Sequence, residues 1–231
     1  MSFCRASILV LALALSGCGE ARRDAPPASP VGTGTATQQP IAGPERRILA
    51  FGDSLFAGLG VGMENSYPAQ LEAALREEGI DARIVNAGVS GDTTAAGRQR
   101  LAFTLDAQKL APELVLLELG ANDMLRALSP SETRANLSAM LDELAKRNIP
   151  VVLMGMRAPP NYGPEFQQDF DAIYADLGKR PGVTLVPFWL ESIYQRPELF
   201  QADRLHPTTD GLGVLAGATK DAVKDALPPV N

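Results

Sequence analysis

The stretch Ala50-Phe51-Gly52-Asp53-Ser54-Leu55 marks the point where an apolar run gives way to a polar turn. The run before it, residues 47–51, is short, apolar and bounded by turn residues, which predicts a buried strand. In an open parallel sheet, ligands bind beyond the carboxyl ends of the strands. Ser54 is therefore a candidate nucleophile, provided that the chain also supplies a base and donors for an oxyanion.

Strands and helices alternate along the rest of the chain. Apolar runs predict further strands at 82–85, 114–119, 150–154 and 183–186. Helical periods and caps predict helices at 66–78, 93–108, 164–179 and 209–226, and one that opens with a capping box at 129–132. Alternation of this kind indicates a parallel sheet with helices on both faces, for which 2-1-3-4-5 is the simplest strand order. We predict a flavodoxin-like three-layer α/β/α sandwich with a five-stranded parallel sheet.

Each predicted strand is followed by polar residues, most of them with a glycine nearby. These five clusters are 52–55, 86–93, 120–123, 157–162 and, after a longer excursion, 203–207. Because the carboxyl ends of parallel strands meet at one edge of a sheet, we expect the clusters to lie together there.

Three residues of these clusters could form a catalytic triad. The hydroxyl of Ser54 is a weak nucleophile until a base removes its proton. The chain contains a single histidine, His206, so a histidine base can only be that residue. Asp203 precedes it by three residues and could accept a hydrogen bond from the other ring nitrogen, which would fix the tautomer.

Three N–H groups could meet an oxyanion: the backbone amides of Ser54 and Gly91 and the side-chain amide of Asn122. Each residue also has an ordinary structural interpretation. A serine after a strand is often a turn or cap residue, Gly91 could merely supply a positive φ, and Asn122 is a common turn former. His206 and Asp203 could likewise be a turn residue and a solvated acid.

Two further acids lie close to these residues in the sequence. Asp53 is interpreted as a support for the serine turn rather than as a catalytic group. Glu118 is a charged residue within an apolar strand, and burial of a charge requires a polar partner.

The N-terminus predicts export. Residues 1–17 contain one early arginine and an apolar stretch too short to span a bilayer, as in a secretory signal peptide. The sequence Leu15-Ser16-Gly17-Cys18 resembles the bacterial lipobox, which implies cleavage before Cys18 and lipid attachment to its sulfur. Ordinary cleavage after 12–14, with Cys18 incidental, is the alternative. If Cys18 is lipidated, Gly19 at the next position predicts sorting to the outer membrane, with the folded domain in the periplasm.

Residues 18–45 are rich in Pro, Ala and Thr and have no apolar period, which predicts a disordered linker. The remainder, 46–231, is of single-domain length. Acidic residues number 27 against 21 basic ones, so nucleic acid is a poor candidate partner. We expect a monomer that contacts membranes through its N-terminal lipid alone. No metal-ligand spacing of His and Cys is present, and we expect no metal or cofactor.

Four blocks of the sequence resemble those of the GDSL, or SGNH, hydrolase family. They are Gly-Asp-Ser-Leu with Ser54, Gly-Val-Ser-Gly-Asp-Thr with Gly91, Gly-Ala-Asn-Asp with Asn122, and Asp-Arg-Leu-His-Pro with His206. The resemblance runs from about residue 47 to the C-terminus and is closest to the bacterial arylesterase and thioesterase I/lysophospholipase L1 branch. A lipid tether would be a departure from the freely soluble members.

The resemblance implies serine-dependent hydrolysis of small acyl ester substrates: short to medium acyl or aryl esters, acyl thioesters and lysophospholipids. An apolar acyl groove is placed in the loops after the third and fourth strands, with Met124, Leu125, Pro160 and Tyr162. Two alternatives stay open, a carbohydrate acetylesterase and a non-catalytic lipid- or glycan-binding envelope lipoprotein. The α/β-hydrolase elbow is disfavoured because Phe56 stands where its second glycine is required.

Overall fold

The computed structural model describes residues 41–230. The predicted signal peptide at 1–17, Cys18 and nearly all of the predicted linker lie outside the described residues. The first strand begins at Arg46.

Five parallel strands form one sheet in the order β2-β1-β3-β4-β5, which confirms the predicted order. The strands are β1 Arg46–Gly52, β2 Ala82–Gly88, β3 Leu114–Glu118, β4 Val151–Met154 and β5 Val183–Val186. The second strand is three residues longer than predicted, so that Asn86, Ala87 and Gly88 belong to it. Its pairing with β1 in full register accounts for the extension.

Burial along the strands follows their place in the sheet. All five residues of β3 are buried, as are the last five of β1, because both strands have a neighbour on each side and helices above and below. The edge strand β2 alternates instead, with Ala82 buried and Arg83 exposed. An interrupting charge is tolerated at such an edge.

Seven α-helices surround the sheet. They are α1 Ser54–Ala57, α2 Tyr67–Glu77, α3 Thr94–Asp106, α4 Ala121–Leu125, α5 Pro130–Lys146, α6 Pro164–Leu177 and α7 Thr209–Ala226 within residues 41–230. Helix α2 packs against α7, while α5 packs against both α3 and α6. These two groups of helices are the outer layers of the three-layer sandwich. None of the helices described is both long and apolar enough to cross a bilayer.

Two helix starts differ in detail from the predicted caps. Ser66 occupies the N-cap position of α2, but its Oγ donates to Met63 O at 2.6 Å and makes no cap hydrogen bond. Ser129 caps α5 by accepting the N–H of Ser131 at 3.2 Å, rather than that of Glu132 as a capping box requires. The two serine hydroxyls are also hydrogen bonded to each other, which draws Ser129 Oγ towards position 131.

Candidate active site

Ser54 is the first residue of α1, directly beyond the carboxyl end of β1. Asp53 caps this short helix, because its Oδ1 accepts the N–H of Leu55 at 3.0 Å. The chain passes very close to β3 here: a Cβ on Gly52 would lie 2.8 Å from the backbone oxygen of Glu118. Glycine is therefore required at position 52 for the turn to sit against the central strand.

His206 brings its ring to Ser54 from the loop that precedes α7. Its Nε2 lies 2.8 Å from Ser54 Oγ, and its Nδ1 lies 2.7 Å from Asp203 Oδ2. The other carboxylate oxygen of Asp203 accepts the backbone N–H groups of Leu205 and His206, at 2.9 and 3.0 Å. Arg204, with a φ of 58°, makes the tight turn that lets one carboxylate bind both the ring and the backbone.

These hydrogen bonds change the ionisation of Asp203. The bond from His206, followed by those from the two backbone N–H groups, lowers its pKa to about 2. The carboxylate is therefore charged throughout the neutral range and can hold a proton on Nδ1. This leaves Nε2 unprotonated and able to accept the hydroxyl proton of Ser54.

The three candidate oxyanion donors face the same cavity as Ser54 and His206. Gly91 adopts a φ of 85°, a left-handed conformation that favours glycine, and its carbonyl accepts a 2.8 Å hydrogen bond from Arg126. No acceptor within residues 41–230 takes up the Gly91 N–H. Asn122 lies in α4, where its Nδ2 donates one hydrogen to Asp53 Oδ2 at 2.8 Å and keeps a second hydrogen available.

Arg100 joins the serine turn to the Gly91 loop. Its Nη2 donates to the Gly52 carbonyl at 2.9 Å, its Nε pairs with Asp92 at 2.6 Å, and its guanidinium stacks on the Phe51 ring. Donation to two separate acceptors from a planar group that also stacks on a ring suits arginine and not lysine. Sequence reasoning overlooked Arg100, since a lone arginine within a helical period carries no distinctive pattern.

The partner of Glu118 is the residue beside the candidate nucleophile. Its Oε2 accepts the backbone N–H of Asp53 at 3.2 Å, and both side chains are completely buried. Burial, together with the negative charge of Asp53, raises the pKa of Glu118 well above its ordinary value. The pair could not be predicted from the sequence because its members are 65 residues apart.

A cavity of about 780 Å³ opens beside Ser54 and His206. Its walls are largely apolar and include Met124, Leu125 and Pro160, three of the four residues predicted to form a groove. Tyr162, the fourth, is not among the residues that line the cavity, and its ring stacks on that of Phe166 at 5.2 Å. The segment between β5 and α7 supplies further lining residues: Phe188, Leu190, Tyr194, Phe200 and Leu205.

Comparisons with known proteins identify a family and several related enzymes. The model of the GDSL-like lipase/acylhydrolase family matches residues 50–212. An arylesterase of Vibrio mimicus is 43% identical over 161 residues, which cover 70% of this chain and 80% of that protein. The thioesterase 1/protease 1/lysophospholipase L1 of Escherichia coli K12 is 37% identical over 169 residues, or 73% of this chain and 79% of that protein.

A solved structure extends the likeness to three dimensions. The crystal structure of AlinE4, an SGNH-hydrolase family esterase, superposes with a TM-score of 0.68 at 58% identity. The match covers 81% of this chain and 99% of AlinE4. The family match begins within β1, before Ser54, and ends in the first turn of α7, after His206. The chain therefore belongs to the GDSL-like lipase/acylhydrolase family and is an ester-hydrolysing enzyme.

Proposed function

We propose that the protein hydrolyses carboxylic esters through an acyl-enzyme formed on Ser54. One observation carries the proposal: an unbroken hydrogen-bonded series from Ser54 Oγ through both nitrogens of His206 to Asp203, placed at the wall of an apolar cavity. A nucleophile in contact with a base, which a third group orients, is the arrangement that nucleophilic catalysis requires.

Acylation begins at Ser54. As His206 Nε2 accepts the hydroxyl proton, Ser54 Oγ forms a bond to the acyl carbon and the carbonyl electrons move onto the acyl oxygen. Collapse of this intermediate breaks the bond to the leaving oxygen or sulfur. His206 returns the proton to that leaving group, and the acyl chain stays on Ser54.

Deacylation repeats these steps with water. His206 takes a proton from the water as the water oxygen attacks the acyl carbon. Collapse then breaks the bond to Ser54 Oγ and releases the carboxylic acid, while His206 returns the proton to Ser54 Oγ. The backbone N–H groups of Ser54 and Gly91 and the free Nδ2 hydrogen of Asn122 stabilise the oxyanion in both halves. Donors fixed before the reaction cost no reorganisation when the charge develops.

The cavity supports short to medium acyl chains and aryl groups as substrates. Its apolar walls favour hydrocarbon, and its volume lies within the range of small-ligand sites. Relatives named arylesterase and thioesterase 1/lysophospholipase L1 support aryl esters, acyl thioesters and lysophospholipids as substrate classes. The rival carbohydrate acetylesterase would instead require polar groups that face a sugar.

The location of the enzyme is also a proposal. A signal peptide at 1–17 and a lipid on Cys18 would place it outside the inner membrane, tethered by the linker at 18–45. This rests on the sequence of residues outside the described part of the chain. The mass of the mature N-terminal peptide, with or without a lipid on Cys18, tests it.

Two substitutions test the chemistry. Ser54→Ala and His206→Ala should each lower p-nitrophenyl ester turnover by roughly 10³- to 10⁶-fold, because each removes an essential member of one unit. Ser192→Ala, at an exposed position, is the matched control. A fluorophosphonate should label Ser54 covalently in the unaltered protein. Near-normal turnover of either variant would overturn the role proposed for that residue. No turnover and no labelling of the unaltered protein would favour the non-catalytic binding protein.

A further inference from the structure

Two buried carboxyl groups lie directly behind the candidate nucleophile without a cation between them. Asp53 and Glu118 are both fully buried, and Glu118 Oε1 has no hydrogen-bond partner within residues 41–230. The ionisable group that acts on Asp53 from outside the pair is His206. Burial, followed by the nearby acids Glu118, Asp123, Asp53 and Asp171, raises the pKa of Tyr174 on α6 well above its ordinary value, so no cation compensates these acids on that side.

Two adjacent carboxylates in such a place cannot both be ionised. Burial penalises each charge, and the two charges repel each other. The pair therefore shares one proton, as neighbouring carboxyl groups do when no cation compensates them.

The hydrogen bonds decide where that proton resides. Asp53 accepts two N–H groups on its side chain, from Leu55 at 3.0 Å and from Asn122 at 2.8 Å. Glu118 accepts one, the Asp53 N–H at 3.2 Å, and its other oxygen is unpartnered. Donors stabilise the ionised form, so the charge belongs on Asp53 and the proton on Glu118.

We propose that Glu118 is a positioning residue, whose neutral carboxyl group donates a hydrogen bond to Asp53 so that Asp53 can hold the amide of Asn122 in its catalytic orientation. This inference rests on the proposed function. An asparagine amide has two ends of nearly equal shape, and only the Nδ2 end can stabilise an oxyanion. An ionised Asp53 accepts a hydrogen bond from Asn122 Nδ2 and repels Oδ1, so the amide is held with Nδ2 in place to stabilise the oxyanion.

A double-mutant cycle separates this role from simple support of the fold. Glu118→Met keeps the length of the side chain but removes the donor, and we expect it to lower kcat by roughly 10- to 100-fold with KM little changed. In the Asn122→Ala background, Glu118→Met should lower kcat by less than about twofold, because the amide that the loss of Glu118 would misplace is already absent. Equal losses in both backgrounds would overturn the proposal.

Glu118→Gln should rescue most of the activity. Its amide can donate to Asp53 and its oxygen can accept the Asp53 N–H, so kcat is expected to stay within about threefold of the unaltered protein. A loss as large as that of Glu118→Met would mean that an ionised Glu118 is required, and the proposal would fall. This variant carries the kinetic test if Glu118→Met does not fold.

Infrared spectroscopy of the purified full-length protein gives a readout independent of activity. At neutral pH we expect the C=O stretching band of a protonated carboxylic acid, and we expect Glu118→Gln to remove it. Absence of the band, or its survival in Glu118→Gln, contradicts the proposal even if Ser54 is the nucleophile. Thr219→Val is the matched control, since it removes a buried hydroxyl bonded to Tyr67 and should leave both kcat and the band unchanged.

Discussion

Asp203 owes its ionisation to neighbours that a single substitution can disturb. Its carboxylate holds a proton on His206 Nδ1, whereas the amide of Asp203→Asn can donate to that nitrogen and move the ring proton to Nε2. Nε2 then cannot accept the proton of Ser54. We expect kcat to fall by roughly 10²- to 10⁴-fold, measured on a p-nitrophenyl ester. Asp169→Asn, at an exposed site, should have no such effect.

The pH dependence of the enzyme follows from the same carboxylate. Hydrogen bonds lower the pKa of Asp203 from its ordinary 3.8 to about 2, so folding favours the ionised form. The stability that it contributes is complete above about pH 4 and disappears as the pH falls through 2. Protonation of Asp203 therefore makes no contribution to any decline in kcat/KM between pH 7 and 4. A decline that Asp203→Asn abolishes would contradict this assignment.

Gly91 offers a comparison between strain and catalysis. Both Gly91 and Gly79 have a left-handed φ, 85° and 82°, and a Cβ on either would meet little or nothing nearby. Alanine at either position should therefore lower the free energy of unfolding by about 1–2 kcal/mol. Only Gly91→Ala should also lower kcat, because relaxation of its backbone redirects the N–H proposed for the oxyanion. Urea titration with parallel kinetics measures both effects, and equal kcat values in the two variants would exclude that role for Gly91.

At the scale of elements, the long helices and the strands could be predicted because each presents a repeated apolar pattern. Leu137, Met140, Leu141 and Leu144 of α5 are all buried on one face, as their spacing requires. Helices α1 and α4 have four and five residues, fewer than a periodic pattern needs, so Ser54 and Asn122 were placed in turns. Ser54 and Asn122 could still be identified as members of polar clusters that follow strands, and this was sufficient to expect them at the same edge of the sheet.

The contact between α2 and α7 contains an ion-pair network that predicts a pH-dependent stability. Glu78, at the end of α2, pairs with Lys220 and with Lys224 at 2.8 Å. These bonds lower its pKa from 4.5 to about 2, so the ionised form stabilises the fold above about pH 4.5 and the benefit is lost as the pH falls through 2.

Glu78→Gln should therefore lower the urea midpoint at pH 7 but not near pH 2, and the difference should shrink in high salt. Glu77→Gln, one residue earlier and exposed, is the matched control. A pH-independent difference for Glu78→Gln would show that the network does not act through charge.

For the whole molecule, the parallel topology explains which parts of the candidate site could be predicted from the sequence. Residues at strand ends could be grouped, whereas part of the cavity lining could not be predicted. The carboxyl ends of β1, β2 and β3 must share an edge, so Ser54, Gly91 and Asn122 were expected to be close. The wall at 188–205 belongs to an irregular segment, whose path depends on packing between distant parts of the chain. The rings of Phe188 and Tyr194 meet edge to face there, with centroids 5.3 Å apart, a contact with no periodic pattern in the sequence.

The cavity gives the sharpest test between an acyl esterase and an acetylesterase. Burial of each CH₂ contributes about 0.8 kcal/mol, so kcat/KM should rise roughly fourfold per carbon from acetyl to longer p-nitrophenyl esters until the cavity is filled. Leu125 lines the cavity and is 48% exposed. We therefore expect Leu125→Ser to lower kcat/KM for the longer esters more than for the acetate, without unfolding the protein. Leu110→Ser, 62% exposed and remote from the cavity lining, should leave the profile intact. A profile that is highest at acetate and insensitive to Leu125 would instead favour the acetylesterase.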